Sequence, residues 1–365
     1  MRAGPANGAA AKRWFRRWPG VLLALGLLGP TLLWGEARQN QRVQFLSLTS
    51  CGDFRIDSAG YEEWLSEEIR TDIEWDELVL SWNATVPAGT HLSFEARGLT
   101  AEGSTPFYQL GSWGEAAEFR RSVKGQKDEF GQVQTDVLIL RRPASGVQVR
   151  VRRYGGNGLD GQLRFLGISL LNSQQEGTAG PAHGAAWGRV LEVPLRSQLA
   201  YEDGRGWCSP TSVSMVLAWW AEQLARPELD CDVPEVAQGV HDPTWQGTGN
   251  WSFNVAFAGR FPGLRAYVAR LGDISELERW LAREVPVICS VDAVRLNGRG
   301  SEEDVGHLVV VIGFTEQGEV VVNDPFIRPG QSGRKTIPRE RFASAWGHSH
   351  NTAYLIYPME REGVH

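Results

Sequence analysis

Between residues 41 and 173, short stretches of the chain alternate apolar and polar side chains, as strands do when one face is buried. Residues 137–140 are apolar throughout, which is typical of a strand buried on both faces. Glycine, proline and asparagine separate the stretches. The pattern predicts an all-β domain at residues 41–173, built as a β-sandwich or jelly roll. The other strand-like stretches are residues 78–86, 91–96, 147–152 and 163–171.

After a Gly/Ala-rich linker at residues 174–187, the periodicity becomes helical. A helix is predicted to begin at Cys208, with Pro210 in its first turn and one buried face. A second helix is predicted at residues 275–283, with Ser275 as its cap and Glu278 at the capping-box position. The apolar positions of the first helix are Val213, Val216, Leu217, Trp220 and Leu224.

Three strands follow these helices, at residues 285–291, 307–314 and 319–324. The last two are separated by four residues, so they form an antiparallel hairpin. Helices beside an antiparallel sheet indicate an α+β domain at residues 188–360.

The chain has 365 residues, of which 42% are hydrophobic and 15 are tryptophan, so it is expected to fold into two cored domains. Its formal net charge is −6, and basic residues cluster only at the extreme N-terminus. This balance gives no support for a nucleic-acid partner.

The pattern of residues 1–37 is typical of a targeting segment. A basic region at residues 12–17 precedes an apolar run at residues 21–34, which is short for a membrane span. We expect either a signal peptide cleaved near Ala37 or an uncleaved anchor, which would be the only membrane contact. Either form places the mature protein outside the cytoplasm, in the extracellular space or cell envelope.

The four cysteines are Cys51, Cys208, Cys231 and Cys289. Export would permit a disulfide between Cys231 and Cys289, although both could remain free. The cysteine and histidine spacing does not fit zinc, and the glycine-rich residues 245–251 lack a phosphate-loop pattern. We therefore expect neither a metal nor a cofactor.

Cys208 is the candidate nucleophile, because the start of a helix favours the thiolate form. The hairpin brings His307, at the start of one strand, beside Asp324, at the end of the other. A carboxylate there can orient the imidazole, which can pair with the thiolate. Gln198, ten residues before Cys208, could donate to an oxyanion together with the backbone N–H of Cys208.

Aromatic residues suggest where ligands could bind. Trp207, Trp245 and Trp251 are candidates for contacts with a substrate. In the β-domain, strand aromatics could stack on a sugar, although such residues are more often core; they are Trp82, Trp113 and Tyr108. The sequence Asn83-Ala84-Thr85 also matches a glycosylation acceptor.

Four segments together resemble the bacteriocin-processing (double-glycine leader) cysteine peptidases of the papain-like superfamily. They are residues 193–198, 206–210, 306–310 and 322–325. The resemblance extends over residues 190–357. It implies a papain-like fold, with Cys208 as nucleophile, His307 as base, Asp324 as orienter and Gln198 as oxyanion donor.

The chain departs from that family in two respects. Ser209 follows the nucleophile, where glycine is frequent, and the polytopic membrane region and ATPase of the bacteriocin exporters are missing. These differences favour a stand-alone hydrolase over leader cleavage during export.

We therefore expect a cysteine peptidase or amide hydrolase acting on a peptide or protein substrate. A cell-wall peptide amidase or transpeptidase would use the same triad, and an idle papain-like binding protein is a third alternative. The β-domain could attach the enzyme to a glycan or cell-wall surface, or serve as a spacer.

Overall fold

The computed structural model describes residues 42–49, 51–155, 162–177, 179–299 and 305–361. The predicted targeting segment at residues 1–37 lies outside these ranges. Within them, no helix is both long enough and apolar enough to cross a membrane.

The N-terminal domain is an antiparallel β-sheet of ten connected strands within the described residues. Its main path runs β1-β10-β4-β9-β3-β2, and β5 joins β9, β6 and β7, while β8 joins β9. The strands are β1 (Val43–Leu48), β2 (Arg55–Ile56), β3 (Glu62–Leu65), β4 (Ile69–Thr85), β5 (His91–Thr100), β6 (Gly103–Ser104), β7 (Tyr108–Gly114), β8 (Gly131–Gln134), β9 (Val137–Tyr154) and β10 (Gln162–Leu171).

The two longest strands, β4 and β9, curl this sheet. The β4–β9 register shifts between Arg70 and Trp75 and again before Glu77, and such irregularities bend strands. β9 also pairs along its second half with β5, and it unites the two predicted runs at residues 137–140 and 147–152. The all-β prediction is therefore confirmed. The β-sandwich or jelly roll is not, because the strands form one connected sheet.

The C-terminal domain combines helices with an antiparallel sheet, as predicted. The sheet runs β12-β17-β13-β14-β15-β16, and β11 joins β14. The strands are β11 (Arg189–Val190), β12 (Leu264–Arg270), β13 (Val287–Asp292), β14 (Gly306–Phe314), β15 (Val320–Asn323), β16 (Arg334–Ile337) and β17 (Thr352–Pro358). The helices are α1 (Cys208–Leu224), α2 (Val233–Val240), α3 (Trp251–Gly259), α4 (Ile274–Ala282), α5 (Ala293–Leu296) and α6 (Arg339–Gly347).

Helix α1 begins at Cys208 as predicted, but it is buried on all sides rather than on one face. Every residue from Ser209 to Ala221 is buried, including Thr211, Ser212 and Ser214. Ser214 donates to the backbone oxygen of Cys231 at 2.9 Å, which satisfies its hydroxyl inside the core. A helix without a polar stripe belongs at the centre of a domain, and this one fixes the position of its first residue.

Helix α4 is capped differently from the prediction. Asp273, not Ser275, accepts the first free N–H groups of the helix. Glu278 is fully buried and faces the end of the predicted linker, where its carboxylate accepts from the Trp187 indole at 2.6 Å and from the His183 N–H at 2.7 Å.

The two domains meet along strand β12, an edge strand of the C-terminal sheet. Alternate N–H groups of an edge strand point away from its sheet and need acceptors. The N–H of Ala266 donates to Asn83 Oδ1 at 3.1 Å, and those of Val268 and Arg270 donate to Ser81 Oγ and Ser169 Oγ at 2.9 Å. Side chains of the β-domain thus satisfy this edge, which we call the capped edge.

Burial decides two questions that the sequence left open. Asn83 is 1% exposed, so the folded protein cannot present it as a glycosylation site. Trp82, Trp113 and Tyr108 are also buried, and Trp82 and Trp113 pack against Phe253 of α3 at ring-centroid distances of 6.1 and 5.5 Å. These aromatic residues form the core and are not available to stack on a sugar.

Candidate active site

Cys208 is the first residue of α1 and is half-buried. A 3₁₀ turn at Gly204–Gly206 leads into it, and the N–H groups of Ser209 and Leu308 hydrogen-bond to its sulfur. Free N–H groups and the positive end of the helix dipole favour a thiolate at this position. Ser209 itself points into the core, where its hydroxyl lies 2.9 Å from the Tyr354 hydroxyl. Serine thus fits where glycine is frequent.

His307 lies at the start of β14 and is buried. Its Nε2 atom is 2.8 Å from Asp324 Oδ1, and its ring also hydrogen-bonds to the side chain of Cys208. With Nε2 occupied by the carboxylate, Nδ1 is the nitrogen left for the sulfur. The imidazole therefore bridges the thiol and the carboxylate.

Asp324 follows directly after β15 and is 2% exposed. Its Oδ1 also accepts the Phe326 N–H at 2.9 Å, and its Oδ2 accepts Lys335 Nζ from β16 at 2.6 Å. His307 and Asp324 are in contact, as predicted, but they do not lie directly opposite each other in the hairpin. Val310 pairs with Asn323, so continuation of the ladder would place Asp324 opposite Val309. The contact with His307 is diagonal across the hairpin.

The charges of this group favour an ion pair. Burial raises the pKa of the Cys208 thiol, but the hydrogen bond and charge of His307 outweigh it and leave that pKa below the ordinary value. Burial lowers the pKa of His307, but its bonds to Asp324 and Cys208 raise it to about 9. Burial raises the pKa of Asp324, but His307 and Lys335 bring it down to about 2. The three shifts agree with a thiolate and an imidazolium at neutral pH.

Gln198 lines the same cleft as Cys208. Its side-chain amide was expected to point to an oxyanion, but it bonds to the turn before Cys208. Its backbone N–H donates to Pro325 O at 3.0 Å, which ties it to the loop after Asp324. Its Nε2 donates to Gly204 O at 2.9 Å and to Arg205 O at 2.8 Å, and its buried Oε1 has no hydrogen-bond partner among the described residues. The side chain therefore braces the turn that precedes Cys208.

A cleft of about 1150 Å³ is lined by Cys208, His307, Asp324 and Gln198, among other residues. Trp245 and Trp251 are part of its lining, as predicted. Trp207 is not among the described residues that line it. Its ring instead packs beside Tyr201 with a centroid distance of 5.8 Å, so the prediction of a substrate contact for Trp207 is not supported.

The β-domain contributes residues that the sequence did not reveal. Asp136 Oδ2 accepts the Trp251 N–H at 2.5 Å at the start of α3. Glu77 forms an ion pair with Arg270, a buried residue of the cleft wall, at 2.6 Å. Asp136 lies in a hairpin turn and Glu77 in a strand that alternates polar residues, so a surface position was the expected one for both. Lys335 was also missed, since a lysine in a short strand carries no signal of an active-site partner.

The other three cysteines differ from Cys208. All four are free, so Cys231 and Cys289 do not pair. Burial raises the pKa of Cys51 and of Cys231 to about 12, and it also raises that of Cys289. Among the described residues, no cluster of histidine, cysteine and carboxylate side chains could hold a metal.

Comparisons with known proteins match both domains to family models. Residues 47–170 match the family model of the Peptidase C39 N-terminal domain, and residues 190–354 match that of the Peptidase C39 like family. A search of the curated proteins found no significant match.

The solved structures that match the chain include the following two. A protein from Bacillus anthracis described as a candidate C39-like peptidase is 22% identical, with a TM-score of 0.36, over 46% of this chain and 96% of that one. Infectious bursal disease virus Gt strain gives 13% identity and a TM-score of 0.23, over 41% of this chain and 36% of the viral one. TM-scores this low support no conclusion. The two family models together cover more than half of the chain, and they identify a C39 N-terminal domain followed, at residues 190–354, by a C39-like domain, which is a papain-like cysteine peptidase domain.

Proposed function

We propose that the protein is an exported peptidase in which Cys208, His307 and Asp324 form the catalytic triad. The observation that carries the proposal is the position of the His307 ring, which bonds to the Cys208 side chain and to Asp324 Oδ1, 2.8 Å from Nε2. Nucleophile, base and orienter are thereby in contact, although they are far apart in sequence.

In this proposal the Cys208 thiolate attacks the carbonyl carbon of the scissile amide and forms a C–S bond. The tetrahedral intermediate collapses as His307 donates its proton to the leaving amine and the C–N bond breaks. The neutral His307 then takes a proton from a water molecule, which attacks the thioester carbonyl; the C–S bond breaks, the carboxylic acid is released, and the thiolate and imidazolium are restored. Asp324 keeps the imidazole oriented throughout.

The oxyanion is stabilised by the backbone N–H of Cys208 and by Gln198. The first N–H groups of a helix have no intrahelical partner, so that of Cys208 is free to donate. Gln198 Nε2 now donates to two carbonyl oxygens of the preceding turn. When substrate is bound, one of its two N–H groups switches its hydrogen bond from a carbonyl oxygen of the turn to the oxyanion, and the other keeps the turn in place.

We also propose that the enzyme acts outside the cytoplasm, because residues 12–34 combine a basic region with an apolar run. For the β-domain we propose a structural role in place of glycan binding, because it supplies the capped edge and the carboxylates of Asp136 and Glu77. Co-sedimentation of the Cys208→Ala protein with cell-wall preparations would contradict that assignment.

The triad is tested by labelling and by hydrolysis. We expect iodoacetamide at pH 7 to modify Cys208 and to spare the cysteines whose pKa values are raised. Cys208→Ala should abolish both labelling and hydrolysis of an internally quenched peptide pool, and Cys51→Ala is the matched control that should retain both. Hydrolysis by Cys208→Ala would refute the proposal. Activity restricted to muropeptides would favour a cell-wall amidase, and a labelled but inactive protein would favour an idle binding role.

A further inference from the structure

Trp245 is a large apolar side chain that is 49% exposed although it lies in the wall of the catalytic cleft. It comes from the segment between α2 and α3, which we call the Trp245 loop, residues 242–250. An exposed tryptophan in a concave site has no part in the core and is available to a ligand.

The Trp245 loop is held in place at both ends. Asp242 is fully buried, and its Oδ1 accepts the N–H groups of Thr244 at 2.9 Å and Trp245 at 3.3 Å, together with that of Ser122 in the β-domain at 3.3 Å. Thr248 donates to Gly206 O at 3.0 Å, two residues before Cys208. The indole is therefore fixed relative to the nucleophile.

Two glycines allow the indole ring of Trp245 to lie close to the backbone. A Cβ atom at Gly247 would lie 2.8 Å from the ring of Trp245, and one at Gly249 would lie 2.9 Å from it. Neither glycine has a positive φ, so close approach of the ring, and not backbone conformation, explains them. One face of the ring rests on backbone, and exposed ring surface remains available to the cleft.

A second exposed ring lines the same cleft from the loop after β15. Phe326, two residues after Asp324, is 54% exposed, and its ring centroid lies 6.4 Å from that of His307 in an edge-on arrangement. Val305, also in the lining, is 47% exposed. The lining close to the triad thus includes three exposed apolar side chains on separate elements.

We propose that Trp245 and Phe326 determine specificity by binding a large apolar side chain next to the scissile bond of a peptide substrate. This inference rests on the proposed peptidase function. A peptide fits better than a sugar, because a sugar ring also needs hydrogen-bonding groups around its edge. Phe326 and Val305 offer none from their side chains, and Asp324 is occupied by His307 and Lys335, although the polar side chain of Gln246 also lines the cleft.

The test compares kcat/KM for two sets of internally quenched peptides, which carry either Phe and Leu or Ser and Gly on each side of the scissile bond. The wild type should prefer the apolar set. Trp245→Ala should reduce that preference about 10- to 100-fold, as expected when contact with a large apolar side chain is lost. Gly249→Ala should reduce it in the same direction by displacing the ring. Gly184→Ala is the matched control, because a Cβ there meets nothing within 4 Å.

The rate of Cys208 alkylation by iodoacetamide, measured on every variant, separates this proposal from the proposed function. If iodoacetamide does not alkylate Cys208 in the wild type, the proposed triad is contradicted. Normal alkylation with equal kcat/KM for the two peptide sets would overturn the specificity proposal alone. An equal loss of kcat/KM on both peptide sets in Trp245→Ala would show a structural role for the Trp245 loop. Cleavage of muropeptides alone would show that Trp245 and Phe326 bind a glycan. Either outcome would also overturn the specificity proposal.

Discussion

Lys335 Nζ lies 2.6 Å from Asp324 Oδ2, while His307 Nε2 lies 2.8 Å from Oδ1 of the same carboxylate. Asp324 is therefore held between a lysine and the imidazole, and Lys335 acts as a positioning residue through it. Burial acts to raise the pKa of Asp324, but the contacts with both partners help to lower it to about 2.

Replacement of Lys335 should alter the pH profile as well as the rate. In Lys335→Met, the removal of a nearby positive charge stabilises the imidazolium, so the alkaline limb of kcat/KM should move to higher pH. Loss of orientation should lower kcat about three- to tenfold, an order typical of a positioning contact. Lys335→Arg should restore most of both properties. An unchanged pH profile in Lys335→Met would show that the lysine is only structural.

The enzyme should be most active between the lowered pKa of Cys208 and the raised pKa of His307. As the pH rises through about 9, His307 loses the proton that the leaving amine needs, so hydrolysis falls. Alkylation requires only the thiolate and should stay fast above that pH. In His307→Gln, the thiolate loses its main stabilising partner, so the pKa of Cys208 should rise and alkylation at pH 6 should slow. Equal alkylation rates in the two proteins would contradict the ion pair.

Asp136 should make the protein less stable as the pH rises. Burial raises its pKa from 3.8 to about 6, although the N–H groups of Trp251 and Ser252 act to lower it. The folded state thus binds a proton more tightly than the unfolded state between these values, and the contribution to stability is lost as the pH rises through about 6. The shift corresponds to roughly 3 kcal/mol.

Urea unfolding at pH 4.5 and pH 7.5 measures this contribution. Asp136→Asn keeps an acceptor for α3 and should remove the dependence, whereas Asp136→Ala should also remove it and should be less stable than Asp136→Asn by about 1–2 kcal/mol at both pH values, because the acceptor is lost. A wild-type difference that persists in Asp136→Asn would assign it to another group.

Asn83 should be essential for the junction and should remain unglycosylated. Its Nδ2 donates to Ala266 O at 2.6 Å and its Oδ1 accepts the Ala266 N–H at 3.1 Å. Asn83→Ala leaves both backbone groups unpaired and should lower the free energy of unfolding by about 2–4 kcal/mol. Thr85→Ala, which also removes the acceptor sequence, should change it by only about 0.5 kcal/mol, because Thr85 is exposed. A glycan on Asn83 in folded, active protein would contradict the buried position.

Short-range patterns in the sequence were sufficient to predict the helix start at Cys208 and the contact between His307 and Asp324. Cys208 at a helix start and a hairpin that joins His307 to Asp324 each depend on neighbours within about 20 residues. The bulge between Val311 and Gly313 could not be predicted, because it depends on how β14 fits its partners. The catalytic roles themselves remain predictions.

Long-range contacts account for the other differences. Asp136 reaches Trp251 across 115 residues, and neither segment carries a pattern that pairs them. The same limit applies to Trp207. Its place beside Cys208 in sequence suggested a cleft wall, but the 3₁₀ turn before the helix directs its ring towards Tyr201.

The capped edge bears on the order in which the protein is made. The β-domain is synthesised first, so Ser81, Asn83 and Ser169 are in place before residues 264–270 leave the ribosome, and domains generally fold in that order. We expect β12 to dock on this ready-made surface during synthesis. A fragment that starts at residue 188 would expose the edge to other chains and would be prone to aggregate, so the β-domain also serves as a covalently attached folding partner of the peptidase.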